Sequence, residues 1–236
     1  EPNGVMKLIR SSRGEITILA IARQAGEAYE AGADFLDKDI KNAVIVCKAT
    51  AEALQKANTP VRFIIEGIVA NEDAENTFKP NTATNGFASV LLGGTKPDGH
   101  AAVGLALARS VKYGSHIKLG DGSKGALSAT QIYIGKTPIE ECLNVETLHD
   151  EGFLVFMTRP GSAGYYFACD NTCANDDFRI LVHGRVIDRA QRIAAQAYLP
   201  FVETSIRMLP EGGIDPIEAS HIQATLDSSI RQYMGE

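Results

Sequence analysis

Apolar residues recur every three or four positions in three stretches of the chain, which is the spacing of an amphipathic helix. The first stretch spans residues 37–57, and its apolar face consists of Ile40, Val44, Cys47, Ala51 and Leu54. The others span residues 186–201 and 216–234. Asp215 followed by Pro216 is an N-cap and first-turn pair, so it marks the beginning of the last helix. Residues 100–113 predict a fourth helix, whose many small side chains favour close packing on a sheet.

Short runs of β-branched and aromatic residues between these helices predict strands. The first three are residues 14–22, 61–67 and 86–92, separated by a connection at 24–33 and a polar surface loop at 71–85. Residues 130–134 predict a short strand and 138–149 a short helix. Residues 152–158 and 164–169 flank a Pro-Gly turn and predict a hairpin, and residues 178–182 predict one more strand.

The order of these elements predicts an α/β to α+β fold with mixed β-sheets flanked by helices. Strands and helices alternate up to the glycine-rich residues 114–125, and the pattern changes after them. We therefore predict two domains. Residues 1–125 form an α/β domain, and residues 126–236 form a second domain with a hairpin, a strand and two helices.

Composition narrows the possible functions. The 236 residues are 44% hydrophobic with a net charge of −6, as expected of a globular protein with a sizeable core. The negative charge disfavours binding to nucleic acid or to an anionic membrane. No apolar run approaches the length that a bilayer requires. Four cysteines in a chain of this length do not form the pattern of a disulfide framework, which mildly favours a reducing compartment.

One glycine turn invites a phosphate-binding interpretation. Gly94 and Gly99 have the spacing of the first half of a P-loop, between a predicted strand and a predicted helix. A P-loop continues with Lys and Ser or Thr, whereas this chain has His100 and Ala101. We favour a tight strand-to-helix turn. The alternative function is an α/β enzyme that binds a phosphorylated ligand at the turn from Gly93 to Gly99.

Two other groups of residues match chemical motifs only in part. Gly120, Gly122 and Gly125 have dinucleotide-binding spacing, but no clear strand and helix flank them, so we predict a loop. Cys169 and Cys173 form one close pair, whereas a structural zinc site usually has two. We therefore nominate no catalytic residue, no cofactor-binding residue, no cofactor and no metal ligand.

Three arginines form a stripe on one face of the helix predicted at residues 186–201. Arg185, Arg189 and Arg192 are spaced four and three apart, so they project from the same side. A solvated helix face is one interpretation. The other is a partner-docking surface, because guanidinium groups bind carboxylates in two-pronged geometry.

The pattern of residues 152–209 resembles the C-terminal core of contractile tail sheath proteins. The resemblance rests on a strand that begins with a glycine, an aromatic second hairpin strand, a loop rich in Thr and Asp, and an Arg-x-x-Asp helix start. In this chain these features are Gly152, Tyr166 and Phe167, the loop at residues 170–173, and Arg185 with Asp188. Residues 87–111 are similar to the sheath-like subgroup of Mu-like phages and prophages. The chain departs from the family in having no Trp, and in having Gly184 where many members have Arg.

The resemblance implies a structural subunit of a contractile tail sheath and not an enzyme. Such a subunit assembles helically around a tail tube and contracts to drive the tube through a target envelope. Its partners are copies of itself, the tail tube protein and the baseplate. It is located in the virion tail, and in the bacterial cytoplasm during assembly. Because the chain starts without Met, we expect a core fragment that lacks the family's terminal arms and is mainly monomeric.

Overall fold

The computed structural model describes residues 2–22, 36–69 and 78–235 of the chain. The helices in these ranges are α1 (Pro2–Ser11), α2 (Lys38–Lys56), α3 (Val103–Lys112), α4 (Val145–Asp150), α5 (Leu181–Tyr198) and α6 (Pro216–Met234). The strands in the same ranges are β1 (Ile18–Ile21), β2 (Arg62–Gly67), β3 (Ala88–Leu92), β4 (Tyr133–Ile134), β5 (Thr137–Pro138), β6 (Phe156–Arg159) and β7 (Ser162–Phe167).

A parallel sheet in the order β1-β2-β3 lies at the centre of the molecule. All six residues of β2 are buried, and successive side chains point to opposite faces of a strand, so both faces of the sheet are covered at this strand. Helix α2 packs against β2 and β3, and α3 packs against β1 and β2. The face predicted for the first helix is buried in α2, from Ile40 to Leu54.

The second half of the chain extends this sheet. Leu154 pairs in parallel with Leu91, with hydrogen bonds of 2.9 Å from Leu92 N to Leu154 O and from Leu154 N to Val90 O. Two residues later the chain enters the antiparallel hairpin of β6 and β7. The rings of Phe156 and Phe167 stack across that hairpin with centroids 4.8 Å apart. Strands β4 and β5 form a separate two-stranded pair.

One continuous apolar cluster joins the elements on either side of residue 125. It extends from Ile9 in α1 to Leu181 in α5, and Leu92, Ile132 and Phe153 in it are fully buried. Apolar contact between the two halves is therefore extensive. The division into residues 1–125 and 126–236 stays a prediction.

Most predicted elements are present, and the mixed fold class is confirmed. The strand predicted at residues 178–182 is wrong: Ile180 makes a single bridge with Asn171, and α5 begins at Leu181. Leu181 N donates to Asp170 O at 2.8 Å. This hydrogen bond closes residues 170–181 into a narrow loop that leads directly into α5. The predicted helix at 138–149 is reduced to α4. Helix α1 was not predicted. Residues 24–33 and 71–77 lie outside the described residues.

None of the helices within the described ranges is both long enough and apolar enough to span a membrane.

Candidate functional site

A buried ion pair connects the central sheet to α5. Arg62 at the start of β2 donates from Nε and Nη2 to the two carboxylate oxygens of Asp188, at 2.6 and 2.7 Å. The side chains are 2% and 6% exposed. Arg62 also donates to Gly86 O at 2.8 Å, and its guanidinium lies 4.6 Å from the ring centroid of Phe87. The pair is two-pronged and desolvated, which is the strong form of this interaction.

Gly184 makes room for this ion pair. A Cβ atom at position 184 would lie 2.5 Å from Nη1 of Arg62, well inside contact distance. The guanidinium cannot swing away without leaving Asp188. The glycine that departs from the sheath pattern therefore has a local cause in this fold: the side chain of Arg62 occupies the space beside it.

The three arginines of the stripe do lie along one side of α5, and all three contact carbonyl groups of their own chain. Arg185 donates to Ser110 O at 2.7 Å, beside the end of α3. Arg189 donates to Tyr233 O near the end of α6. Arg192 donates to Gly14 O, to Ile16 O at 2.9 Å and to Pro60 O, where the chain enters β1 and β2.

Burial differs along the stripe. It lowers the pKa of both Arg185 and Arg192, because the charged guanidinium loses solvent there. Nε of Arg192 is buried and has no hydrogen-bond partner among the residues that the structure describes. Arg189 differs from the other two, because its partner Tyr233 lies in α6, where no described residue is buried. The stripe thus holds the layers of the fold together, and its role in docking a partner stays a prediction.

The glycine turn that resembles a P-loop borders a cavity of about 390 Å³. The cavity lies at the carboxyl ends of β2 and β3, the edge where parallel sheets commonly bind ligands. Its lining includes Gly67, Gly93, Gly94 and Gly99, together with the ion pair between Asp98 and Lys136. Position and shape alone would suit a small ligand.

The polarity of the turn does not suit a phosphate. Ala101 N already donates to the buried carboxylate of Glu66, at 2.9 Å, and His100 Nδ1 lies 2.7 Å from the same oxygen. Other backbone donors of the turn are bound to carbonyl groups of the chain: Gly94 N to Tyr133 O, Asp98 N to Gly135 O, Gly99 N to Lys96 O, and Ala102 N to Gly93 O. A phosphate at this turn would have to compete with the carboxylate of Glu66 for Ala101 N, and the two negative charges would repel each other.

The second glycine motif surrounds an arginine. Arg109 of α3 donates to Leu119 O at 3.0 Å, to Asp121 O at 2.6 Å and to Gly125 O at 2.9 Å. The loop between Gly120 and Gly125 therefore turns its carbonyl groups toward a buried cation. A dinucleotide site needs the opposite polarity, with amide groups directed at phosphate. The predicted loop is present, with one short 3-10 turn at Gly122–Lys124.

The close pair of cysteines, Cys169 and Cys173, lies where burial disfavours the thiolate. Burial raises the pKa of both Cys169 and Cys173, and Cys173 is fully buried. His183 is exposed, and its Nδ1 lies 2.7 Å from Asp177 O. Within the described residues, no group of three or more His, Cys, Asp or Glu side chains is placed to hold a metal ion.

Sequence reasoning missed three charged residues of the interior, Arg62, Glu66 and Arg109. A signal was available, because Arg62 and Glu66 interrupt an apolar strand and charged residues are rarely buried unless paired. The partner of Arg62 is 126 positions away, so the sequence could indicate that a partner exists but not which residue it is.

Comparison with known proteins shows a likeness at the level of the fold. No protein-family model and no curated protein matches the chain. One chain of the cryo-EM structure of the anti-feeding prophage baseplate, symmetrised six-fold, is similar with a TM-score of 0.56 and 16% sequence identity. The likeness covers 98% of this chain and 56% of that chain, so this chain spans little more than half the length of its structural neighbour. At this identity, the likeness shows that the two chains share a fold.

Proposed function

We propose that this chain is a structural subunit of a contractile, phage-tail-like particle, and more specifically a sheath subunit that assembles around a tail tube. The observation that carries the proposal is the likeness of fold, over nearly the whole chain, to a chain of the anti-feeding prophage baseplate. The sheath-like pattern of residues 152–209 is a separate, sequence-based reason that favours the sheath over another part of such a particle.

The central sheet offers a place for the assembly that the proposal requires. In sheath proteins, a terminal arm of one subunit adds a strand to the edge of a neighbour's sheet and is held there by backbone hydrogen bonds. The outer edge of β3 is occupied by Leu154 and Cys173 of the same chain. Strand β1 is the other edge: its four residues are half-buried, and within the described residues it pairs with β2 alone. We assign β1 as the edge that receives an arm.

The proposed work of the subunit needs no chemistry. A lattice of copies held by many weak, heterologous contacts has an extended and a contracted packing. Assembly in the extended packing stores free energy. Release then drives the tube without consuming nucleotide. The partners on this proposal are other copies, the tail tube and the baseplate, and the location is the tail of the particle. Neither nucleic acid nor membrane is involved.

Assembly on the tube is the experiment that tests this function. The protein, in the full length of its gene product, is mixed with its tail tube and viewed by negative-stain microscopy. We expect ordered sheaths around tubes. Tubes that stay bare at every protein concentration would contradict the sheath assignment. Binding confined to tube ends would instead indicate a baseplate subunit. The present chain alone is expected to be mainly monomeric in analytical ultracentrifugation, and a stable large ring would argue against that expectation.

The arginine stripe is tested within the same assay. Arg189→Glu is the informative variant, because Arg185 and Arg192 donate to interior carbonyl groups and their reversal would disturb the fold. If the stripe docks the tube or a neighbouring subunit, Arg189→Glu reduces sheath assembly while its thermal unfolding stays close to that of the unaltered chain. Unchanged assembly would remove the docking role.

The cavity beside Gly93 is the reason to test a second candidate function, an α/β enzyme that binds a phosphorylated ligand. Its location favours this function, and the carboxylate of Glu66 at Ala101 N opposes it. Thermal unfolding with millimolar inorganic phosphate, ATP or NAD distinguishes the two candidates, since a ligand that binds the folded chain raises its melting temperature. We expect no shift.

A further inference from the structure

Five exposed apolar side chains gather at one end of the α5–α6 pair, and we call this surface the tip. Arg189, in the middle of α5, contacts Tyr233 near the end of α6, and the ring of Phe201, just after α5, lies 5.9 Å from that of His221 in the second turn of α6. The two helices therefore run antiparallel, and the connection between them lies at the end of the pair away from Tyr233. The members of the tip are 47–75% exposed: Leu199, Val202, Met208, Ile214 and Ile217. A bridge between Met208 and Ile214 holds the connection as a tight turn. Clustered exposed apolar side chains of this kind mark interaction surfaces.

The tip carries negative charge. Residues 198–218 contain four acidic side chains and one basic one. The single arginine, Arg207, lies 3.7 Å from Asp215, which also caps α6. Glu203 and Glu211 are exposed and, within the described residues, form no ion pair. A partner that covers the tip therefore needs apolar surface together with positive charge.

The opposite end of α5 carries a surface with those properties, which we call the α3 patch. It consists of Val111, Lys112 and Lys118, all exposed, and Val111 is 80% exposed. Residues 103–120 contain no acidic side chain. The next acid, Asp121, accepts from the backbone N–H of Ser123 at 2.9 Å.

The position of the α3 patch follows from contacts of α5. Arg185, in the second turn of α5, donates to Ser110 O and to Ile117 O. The α3 patch therefore lies beside the beginning of α5, whereas the tip lies beyond its end. The 18 residues of α5 span about 27 Å at 1.5 Å per residue. The two complementary surfaces are thus at opposite ends of one rigid helix.

We propose that the tip of one copy binds the α3 patch of the next copy. Because the surfaces differ, the contact is heterologous: a pair of bound copies still has one free α3 patch and one free tip, so the contact repeats as an open array. Opposite charge steers the two surfaces together, and apolar contact between Val111 and Ile217 forms the centre. The inference rests on the proposed function, since it describes one of the contacts that would build the lattice. By itself the contact is too weak to hold dilute chains together.

Cross-linking between copies that each carry one exposed cysteine tests this contact directly. The background variant replaces the half-buried Cys142 and Cys169 with Ser, while Cys47 and Cys173 stay buried. Copies with Val111→Cys are mixed with copies with Ile217→Cys at high protein concentration and treated with a short bismaleimide. We expect a heterodimer band from the mixture and little dimer from either variant alone. A chain with both substitutions should give a ladder of trimers and longer species. Leu143→Cys, at a side chain 89% exposed elsewhere, replaces Val111→Cys as the matched control.

Charge reversal supplies an independent readout. Lys112→Glu with Lys118→Glu on the first copy should reduce the heterodimer several-fold, and so should Glu203→Lys with Glu211→Lys on the second. Combining the two reversed copies should restore it, and added salt should weaken the contact of the original pair. A mixture that links no better than the Leu143→Cys control overturns the proposal. So does efficient linking of Val111→Cys copies to each other, or a swap that restores nothing.

Failure of this contact and failure of the proposed function give different results. Sheaths that form on tubes but do not cross-link between positions 111 and 217 would overturn the tip contact and leave the sheath function in place. Cross-linked ladders without any assembly on a tube would do the reverse.

Discussion

The ion pair between Arg62 and Asp188 gives the sharpest test of how this fold is held together. The side chain of Arg62 is 2% exposed. In Asp188→Ala its guanidinium loses both carboxylate oxygens and keeps Gly86 O and the rings of Phe87 and Phe178. A buried charge left without its partner costs about 3–5 kcal/mol of folding free energy. For a chain of this size, each kcal/mol lowers the melting temperature by roughly 2–4 °C, so the expected fall is roughly 6–20 °C.

The double variant Arg62→Met with Asp188→Leu separates the loss of a charge pair from the loss of packing. It removes both charges and leaves apolar side chains of similar length, which for buried pairs is often neutral or stabilising. We expect it to be clearly more stable than Asp188→Ala. Urea unfolding followed by circular dichroism at neutral pH measures the free energies of all variants by linear extrapolation.

A matched control removes an ion pair of similar length from the surface. Asp227 in α6 lies 2.7 Å from Arg231, four residues on, with side chains 61% and 78% exposed. Asp227→Ala should change stability little, because solvent screens an exposed pair. If Asp188→Ala is no more destabilising than Asp227→Ala, or if the double variant is as unstable as the single one, the pair does not stabilise the fold as argued.

Three further predictions each test a single feature. Gly184→Ala should lower the free energy of unfolding in urea by roughly 1–3 kcal/mol, because its methyl group overlaps the guanidinium of Arg62. Gly104→Ala has open space around its Cβ and should raise that free energy by about 0.5–1 kcal/mol. Equal effects of the two variants would contradict this reason. Burial raises the pKa of the Asp170 carboxyl, so between its ordinary and raised pKa the native state binds more protons than the unfolded state, and stability falls as pH rises. Asp170→Asn should therefore be the more stable chain at neutral pH, and its advantage should shrink toward pH 4. A difference in stability that stays constant with pH would refute the assignment. Asp215→Ala removes the N-cap bond to Ile217 N and should cost about 1 kcal/mol, seen as a lower urea midpoint; an unchanged midpoint would show that the cap is dispensable.

Sequence patterns were sufficient wherever the information is local. The 3.6-residue period of α2 and the Asp215-Pro216 start of α6 are properties of neighbouring residues, so those helices could be placed to within about a residue. The hairpin of β6 and β7 follows in the same way from two apolar runs around a turn. Alternation of strands and helices was enough to predict the mixed fold class.

Local patterns failed where tertiary contacts compete with them. Residues 178–182 have the composition of a strand, but a hydrogen bond from Leu181 N to Asp170 O and burial of Leu181 and Val182 in the core start a helix there. The arginine stripe is a similar case. Spacing alone established that the three side chains share a face, but not that they meet carbonyl groups 44 to 178 positions away.

By itself, the sequence determined helices α2, α3, α5 and α6, the main strands and the mixed fold class. The tertiary structure decided which charges are buried together, why position 184 is glycine, and that a carboxylate occupies the glycine turn. The physical reason is that helix and strand periodicity depends on residues a few positions apart. The ion pair of Arg62 with Asp188 and its packing against Gly184 join residues more than a hundred positions apart, and Glu66 meets Ala101 from 35 positions away. Such pairings are set only when the chain has folded.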